Sequence, residues 1–200
     1  MLNVGSDFSV GFVDPVFEAQ ETFRAILHGL AHPGRVVETT ASLSPPPPLC
    51  DASAAIALTL FDFDTPIWLD PKTNTEKVRH FLRFHTGCSL VDEPVKASFA
   101  IICDPHYLED LQRFNIGTDE APENSTTIIY QVNKIFASGT GRKFKGPGIE
   151  DEIQILVDGV PDDFWFRRKL VNDSFPRGID IFFTESHRVV GLPRTTRVEA

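Results

Sequence analysis

The segment from residue 139 to residue 149 combines the two features that an anion-binding loop needs, glycine and positive charge. It holds four of the 13 glycines of the chain and three cationic side chains. Glycine permits positive φ angles, which let neighbouring backbone N–H groups turn toward one anion. The candidate contact residues for an anion or a partner protein are Gly139, Gly141, Arg142, Lys143, Lys145, Gly146 and Gly148.

Two other interpretations of this segment stay open. Apolar runs at 127–136 and 153–157 flank it, so it could be a long hairpin loop whose lysines face water. Its charges could equally dock a carboxylate of a neighbouring protein. The phosphate-binding patterns GxxxxGK[ST] and GxGxxG are both absent, and Pro147 removes one backbone donor. We therefore favour docking or structural shaping, with ligand contact second.

Other residues with catalytic chemistry do not form a recognisable pattern. His28 and His32 are four apart and would share one face of a helix, but zinc sites use three or four ligands. There is no GxSxG nucleophile motif. The three cysteines are odd in number and widely spaced, which is typical of reduced thiols. We predict no catalytic residue, no metal and no cofactor.

The bulk composition restricts the class of protein. At 200 residues the chain suits one domain with a substantial core. The formal net charge of −9 argues against a nucleic-acid-binding surface. No segment approaches the ~20 apolar residues that span a bilayer, and residues 1–7 do not form a secretory signal. A cytoplasmic protein with no membrane segment and no nucleic-acid partner is expected.

Five helices are predicted from start signals and apolar spacing. The first runs from Asp14, an N-cap followed by proline, to Ala31, before His-Pro-Gly. Others begin near Asp51, at 73–75, near His106 and at 161–163. The apolar stripe of the first helix consists of Val16, Ala19, Phe23, Ile26, Leu27 and Leu30.

Short apolar strands alternate with these helices. They are predicted at 35–40, 65–69, 97–103, 127–136, 153–157 and 179–184. The alternation indicates an α/β fold with a mixed sheet: helices cross between parallel strands, and one antiparallel pair surrounds the glycine-rich segment. We see no internal linker, so the expectation is a single domain over 1–200, with loose termini at about 1–10 and 195–200.

Some side chains are candidates for protein contact. Three consecutive aromatic residues at 164–166 cannot all face one core on a helix, so at least one is expected to meet a partner or a loop. The alanine-rich helix after Asp51 could pack against a sheet or against a second subunit. The interface candidates are His32, Arg35, Trp165, Phe166 and Arg194.

The order of several motifs along the chain resembles the PhnH family, a subunit of the carbon–phosphorus lyase machinery. The motifs are Gly-Phe-Val-Asp-Pro-Val at 11–16, Ala-His-Pro-Gly-Arg at 31–35, Gly-Pro-Gly-Ile at 146–149, Phe-Pro-Arg-Gly-Ile-Asp at 175–180 and Leu-Pro-Arg-Thr-Thr at 192–196. The match spans nearly the whole chain. No single motif is specific, but their combined order is.

The resemblance implies a role in using phosphonates as a phosphorus source. In that pathway the PhnG, PhnH, PhnI and PhnL proteins together displace adenine from ATP with methylphosphonate. The product is α-D-ribose 1-methylphosphonate 5-triphosphate, and PhnJ later cleaves the carbon–phosphorus bond. The implied partners are PhnG, PhnI and PhnJ, with a homodimer for the isolated chain. ATP or an alkylphosphonate would be met through the complex.

The resemblance also implies a three-layer α/β/α sandwich similar to the large domain of transferases that use pyridoxal phosphate. The cofactor itself is not expected, because no lysine lies in a recognisable Schiff-base motif. An accessory subunit without its own catalytic residues is therefore the leading hypothesis. A phosphate- or nucleotide-binding module and an independent pyridoxal-phosphate enzyme are the alternatives.

Overall fold

A computed structural model describes residues 10–108, 110–137 and 141–199. Within these residues the chain forms four α-helices and eleven β-strands. The helices are α1 (Pro15–Ala31), α2 (Asp51–Leu60), α3 (Glu76–Thr86) and α4 (Phe164–Asn172). The first six strands are β1 (Val36–Glu38), β2 (Pro66–Leu69), β3 (Ser89–Leu90), β4 (Phe99–Ile102), β5 (Thr127–Gln131) and β6 (Lys134–Phe136). The remaining strands are β7 (Arg142–Lys145), β8 (Ile153–Asp158), β9 (Asp180–Glu185), β10 (Arg188–Leu192) and β11 (Arg197–Glu199).

Two sheets organise these strands. The larger has seven strands in the order β1-β10-β9-β5-β4-β2-β3, and the smaller has four in the order β11-β7-β8-β6. Strands β3, β2, β4, β5 and β9 run parallel, while β10 and β1 add antiparallel pairings at one side. The predicted α/β fold with a mixed sheet is confirmed.

The large sheet is buried on both faces. Ile101, Ile129 and Phe182 lie in register across three neighbouring parallel strands and belong to one hydrophobic cluster. Residues one position earlier, such as Ala100 and Ile128, belong to a second cluster. Because side chains alternate along a strand, the two clusters occupy opposite faces.

Different elements cover the two faces. Helices α1, α2 and α3 contribute to the first cluster, in which the alanines of α2 are fully buried. The second cluster takes side chains from α4 and from the four-stranded sheet. The alanine-rich helix therefore packs within the fold, which leaves its small side chains unavailable to a second subunit.

Helix α1 begins and ends as predicted, but its buried face differs. The Asp14 carboxylate accepts a hydrogen bond from the Phe17 N–H at 3.3 Å. The buried positions are Thr22, Ile26 and Gly29. A Cβ at Gly191 would lie 2.6 Å from the Gly29 carbonyl oxygen, so the helix and β10 approach through two glycines. That approach decides which side of the helix is buried.

Much of the predicted apolar stripe of α1 is consequently exposed. Val16 is 76% exposed, and Phe23 and Leu27 are also exposed, so the prediction of one core-facing stripe is wrong for these three. Within the described residues, the exposed large apolar side chains on and before α1 are Val10, Val13, Val16, Phe17, Phe23 and Leu27.

Three other predictions need correction. The helix expected near residues 106–114 consists of two 3₁₀ helices, Pro105–Leu108 and Leu111–Arg113, with Glu109 outside the described residues. Asp110 caps the second 3₁₀ helix, because its carboxylate accepts a hydrogen bond from the Gln112 N–H. The apolar run 127–136 forms two strands, β5 in the larger sheet and β6 in the smaller one. The antiparallel pairing with β8 is made by β6 and therefore belongs to the smaller sheet. At the C-terminus, 195–199 includes strand β11 where a loose end was expected.

Candidate functional site

The cationic part of the glycine-rich segment is a strand in the structure. Arg142–Lys145 forms β7, which pairs with β8 on one side and β11 on the other. The prediction of a loop across these residues is therefore wrong. Gly141 precedes the strand at φ +118°, and a Cβ there would lie 2.3 Å from the Ile155 carbonyl oxygen. Gly139 lies outside the described residues.

The lysines of β7 already have acidic partners. Lys143 Nζ lies 2.9 Å from Glu152, and Lys145 Nζ lies 3.0 Å from Glu199. The hydrogen bond from Lys143 lowers the pKa of Glu152, and the hydrogen bond to Glu199 raises the pKa of Lys145. Arg142 lies over the Trp165 ring at 5.7 Å. Cross-strand neighbours thus partly neutralise this segment.

The two glycines after β7 have a packing role. Gly148 has φ +82°, and a Cβ there would lie 2.0 Å from the Ala31 carbonyl oxygen at the end of α1. A Cβ at Gly146 would lie 3.0 Å from the Thr195 carbonyl oxygen. Only glycine permits both the positive φ and the close backbone contact at Gly148. This turn therefore packs against both the end of α1 and the C-terminal segment.

Two of the sequence motifs, 175–180 and 192–196, meet at an ion pair. The Arg194 guanidinium donates to the Asp180 carboxylate at 2.6 Å, and the Arg194 backbone N–H also donates to it at 2.6 Å. Arg194 donates further to the Pro122 carbonyl oxygen at 2.7 Å and to Ser125 Oγ at 2.5 Å. The backbone of Gly178 packs closely against Arg194, since a Cβ at Gly178 would lie 3.0 Å from Arg194 Cβ. Arg194, an interface candidate, thus has partners within the chain.

A second arginine beside this pair is buried without an acidic hydrogen-bond partner. Arg168 of α4 is 3% exposed and donates to the carbonyl oxygens of Thr196 at 3.0 Å and Pro193 at 2.7 Å. Its Nε has no hydrogen-bond partner among the described residues. Burial lowers the pKa of Arg168 to about 10, against the opposing attraction of Asp180. Its guanidinium therefore stays charged at neutral pH.

A cavity of about 660 Å³ lies between α4 and the C-terminal segment. Its lining includes both arginines and is rich in further polar groups. The lining residues are Pro147, Trp165, Arg168, Lys169, Asn172, Asp173, Phe175, Arg194, Thr195, Thr196, Arg197, Val198 and Glu199. The cavity brings together Trp165 and Arg194 from the interface candidates and lies against the turn that contains Gly146 and Gly148.

The remaining interface candidates are dispersed. His32 ends α1, where its Nδ1 lies 3.1 Å from the His28 carbonyl oxygen and its ring lies 4.2 Å from the His28 ring. Arg35 is exposed before β1. Phe166 is 65% exposed and lines a smaller cavity of about 360 Å³ with Arg167 and Leu170. The structure does not join these residues into one surface with Trp165.

Other polar clusters are engaged inside the fold. The fully buried Asp70 carboxylate accepts backbone hydrogen bonds from Thr73 at 2.7 Å and Asp104 at 2.8 Å. Ser53 and Thr184 share a buried hydrogen bond of 2.7 Å. Burial raises the pKa of the Cys103 thiol to about 12. These groups stabilise strand ends and helix packing, and a buried neutral thiol is a poor nucleophile.

Two kinds of feature are absent from the described ranges. Residues 10–108, 110–137 and 141–199 contain no cluster of three or more metal-ligating His, Cys, Asp or Glu side chains. In the same ranges no helix has the length and apolar character needed to cross a bilayer.

Sequence reasoning missed Arg168 and Asp180 as site residues. Their sequence signals were present but weak: Arg168 lies four residues after Phe164, on the buried side of α4, and Asp180 ends the 175–180 motif. The hydrogen-bond partners of Arg168 are 25 and 28 residues away, so local spacing could not reveal them.

Comparison with known proteins gives consistent results. A family model described as bacterial phosphonate metabolism protein (PhnH) matches residues 10–199. The chain is 38% identical over 195 residues to the alpha-D-ribose 1-methylphosphonate 5-triphosphate synthase subunit PhnH of Rhizobium meliloti (strain 1021), covering 96% of both chains. It is 29% identical over 181 residues to the putative C-P lyase subunit protein HtxG of Stutzerimonas stutzeri, covering 90% of this chain and 85% of that one.

Proposed function

The chain belongs to the PhnH family of bacterial phosphonate metabolism proteins, and we propose that it is a subunit of a carbon–phosphorus lyase complex. Within that complex it takes part in making α-D-ribose 1-methylphosphonate 5-triphosphate from ATP and methylphosphonate. The observation that carries the proposal is 38% identity to the synthase subunit over 96% of both chains. A site of action in the cytoplasm is part of the proposal.

We propose that this subunit is accessory, or that it contributes to a site shared with another subunit. Three polar side chains inside the fold already have partners within this chain: Asp70 accepts from backbone N–H groups, Ser53 pairs with Thr184, and Asp180 pairs with Arg194. Groups held in this way position structure and are not free to act as a nucleophile or base. The proposal therefore assigns no catalytic residue to this subunit.

The proposed partners are the PhnG, PhnI and PhnJ subunits, with a second copy of the chain when it is isolated. Support for a protein partner comes from α1, whose outer side carries the exposed Val16, Phe23 and Leu27. Apolar side chains grouped on one exposed helix face are typical of a protein interface. We assign this face to the homodimer.

The test of the subunit role is co-purification. A tagged form of the chain, co-expressed with the PhnG, PhnI and PhnJ proteins of its own host, should retain all three through affinity and size-exclusion chromatography. A chain that elutes alone, although all four proteins are present in the lysate, would contradict the proposal.

The homodimer has a separate test. Light scattering during size-exclusion chromatography should give the mass of a dimer for the parent and of a monomer for the double variant Val16→Asp, Leu27→Asp. Val95→Asp is the control, because Val95 is exposed outside α1. A parent that is monomeric at every concentration would overturn the assignment of α1.

The finer architecture is also a proposal: a three-layer α/β/α sandwich similar to the large domain of pyridoxal-phosphate-dependent transferases, without the cofactor site. Its support is a sheet with five parallel strands, of which the central ones are buried on both faces. Adding pyridoxal phosphate should leave the absorbance spectrum as the sum of the separate components. A new Schiff-base band that survives dialysis would contradict the absence of a cofactor site.

A further inference from the structure

We propose that the cavity between α4 and residues 194–199 binds a phosphate-type oxyanion: inorganic phosphate, a phosphonate, or the phosphate chain of a nucleotide. The assignment of the site rests on its charge, burial and shape. The choice of ATP and methylphosphonate as probes rests on the proposed function.

The lining carries an excess of positive charge within an acidic protein. Its charged side chains are four cations, Arg168, Lys169, Arg194 and Arg197, and two acids, Asp173 and Glu199. The protein as a whole has a formal net charge of −9. Positive charge concentrated in a concave site attracts anions, even when the protein as a whole is negative.

Two of the cations are free to meet a ligand. Lys169 and Arg197 are exposed, and neither has an ion-pair partner among the described residues. Glu199, the acid nearest to Arg197 in sequence, is held by Lys145 at 3.0 Å. The negative charge of Glu199 is therefore already shared with a lysine of β7.

Two buried polar groups in the lining residues have no partner. Arg168 Nε and Thr196 Oγ1 make no hydrogen bond to any described residue. Buried polar atoms are usually paired, and a desolvated cation that bonds only to carbonyl oxygens keeps its full charge. An anion in the adjoining cavity would offset the cost of burying Arg168.

The site is held in place before a ligand arrives. Carbonyl oxygens fix Arg168, and the Asp180 carboxylate fixes Arg194. Side chains that are already ordered lose little entropy on binding. The volume of about 660 Å³ suits a small molecule, and Trp165 and Phe175 form an apolar wall for its uncharged part.

The experiment is calorimetry on the isolated chain with four probes: inorganic phosphate, tripolyphosphate, ATP and methylphosphonate. We expect binding of at least one probe with a Kd below about 1 mM, weakened by added salt. Tripolyphosphate bound as tightly as ATP would identify the phosphate chain as the recognised group. Methylphosphonate bound more tightly than inorganic phosphate would identify the phosphonate.

Matched variants locate the site. The double variant Lys169→Gln, Arg197→Gln should weaken binding by roughly tenfold or more, because two charge-assisted contacts are lost. The control Arg167→Gln, Lys96→Gln removes the same charge outside the cavity, where each cation is paired with a nearby acid. The control should bind within about twofold of the parent. Circular dichroism and melting temperature should match among the three proteins.

Three outcomes would overturn the site. They are no binding of any probe by the parent, equal weakening in both double variants, and unchanged anion binding with loss of partner subunits in the cavity variant. The last outcome would make the cavity a docking surface for protein. Failure of the proposed function is distinguishable, because a chain that binds anions but never co-purifies with PhnG, PhnI and PhnJ would keep the site and lose the subunit role.

Discussion

Two cationic regions of this protein differ in what their charges contact. In β7, Lys143 and Lys145 are partly exposed and lie against Glu152 and Glu199. In the cavity beside α4, Arg168 is buried against carbonyl oxygens. The first region is dense in positive charge along the sequence but partly neutralised in space. The second is assembled from separate segments and keeps a surplus.

The difference shows that density of charge along a sequence does not by itself predict an anion site. Glu152, next to β8, and Glu199 of β11 partly neutralise the lysines of β7, and Glu199 is 54 residues from Lys145 in the chain. A buried arginine has a fixed position and a weakly screened charge, whereas an exposed lysine is screened by water and salt. Burial and partner type therefore separate the two regions.

The largest expected effect comes from breaking the partly buried ion pair of Arg194 with Asp180 near the cavity. Arg194→Ala should lower the free energy of unfolding by about 3–5 kcal/mol, because Asp180 would be left without its cationic partner. Urea denaturation followed by circular dichroism measures this change. A loss below about 1 kcal/mol would place Arg194 with the exposed pairs and remove the contrast between the regions.

The turn that connects the two regions should be the next most sensitive position. Gly148→Ala forces a Cβ to within 2.0 Å of the Ala31 carbonyl oxygen at a positive φ. Strain of this kind costs about 1–3 kcal/mol before the steric clash is added. The matched control is Gly87→Ala, also at positive φ, where the nearest atom would lie 3.7 Å away. Equal losses of unfolding free energy in both variants would refute a packing role for Gly148.

The lysines of β7 should matter little for stability. Lys143→Ala should change the free energy of unfolding by no more than about 1 kcal/mol, since exposed ion pairs contribute weakly. The same urea titration gives the comparison with Arg194→Ala. A loss as large as that of Arg194→Ala would show that the ion pairs of β7 contribute strongly to stability.

The smallest expected effect is a change in the pKa of Glu152, the acid paired with Lys143 of β7. The hydrogen bond from Lys143 lowers the pKa of Glu152, so the pair stabilises the fold above the ordinary glutamate pKa of about 4.3, and this contribution is lost as the pH falls through the lowered value. In 1 M salt, where the Debye length is about 3 Å, the pKa of Glu152 should rise toward its ordinary value. NMR titration of the side chain measures both values. A pKa of Glu152 that stayed low in Lys143→Ala would exclude Lys143 as the cause.

Much of the architecture was predictable because local signals agreed with tertiary structure. Residue types predicted where α1 starts and ends, and they predicted the buried strands β4 and β9. The buried face of α1 did not, because the contact between Gly29 and Gly191 joins residues far apart in sequence. A long-range contact of this kind leaves no periodic pattern.

The candidate site was less predictable than the fold. Trp165 and Arg194 were expected at a surface, and the structure places both on the cavity lining. Arg168 was not expected, since an arginine on a helix is usually exposed and its burial depends on carbonyl groups supplied by the C-terminal segment. The sequence motifs indicated which segments matter, while tertiary contacts decided which side chains meet.

If this chain is a required subunit for making ribose 1-methylphosphonate 5-triphosphate, a reconstituted reaction should depend on it. Purified PhnG, PhnI and PhnL proteins of the same host would be mixed with ATP and methylphosphonate, with and without this chain, and the phosphonate product followed by phosphorus NMR. Product is expected only when the chain is present. Product formed at the same rate in its absence would contradict the claim.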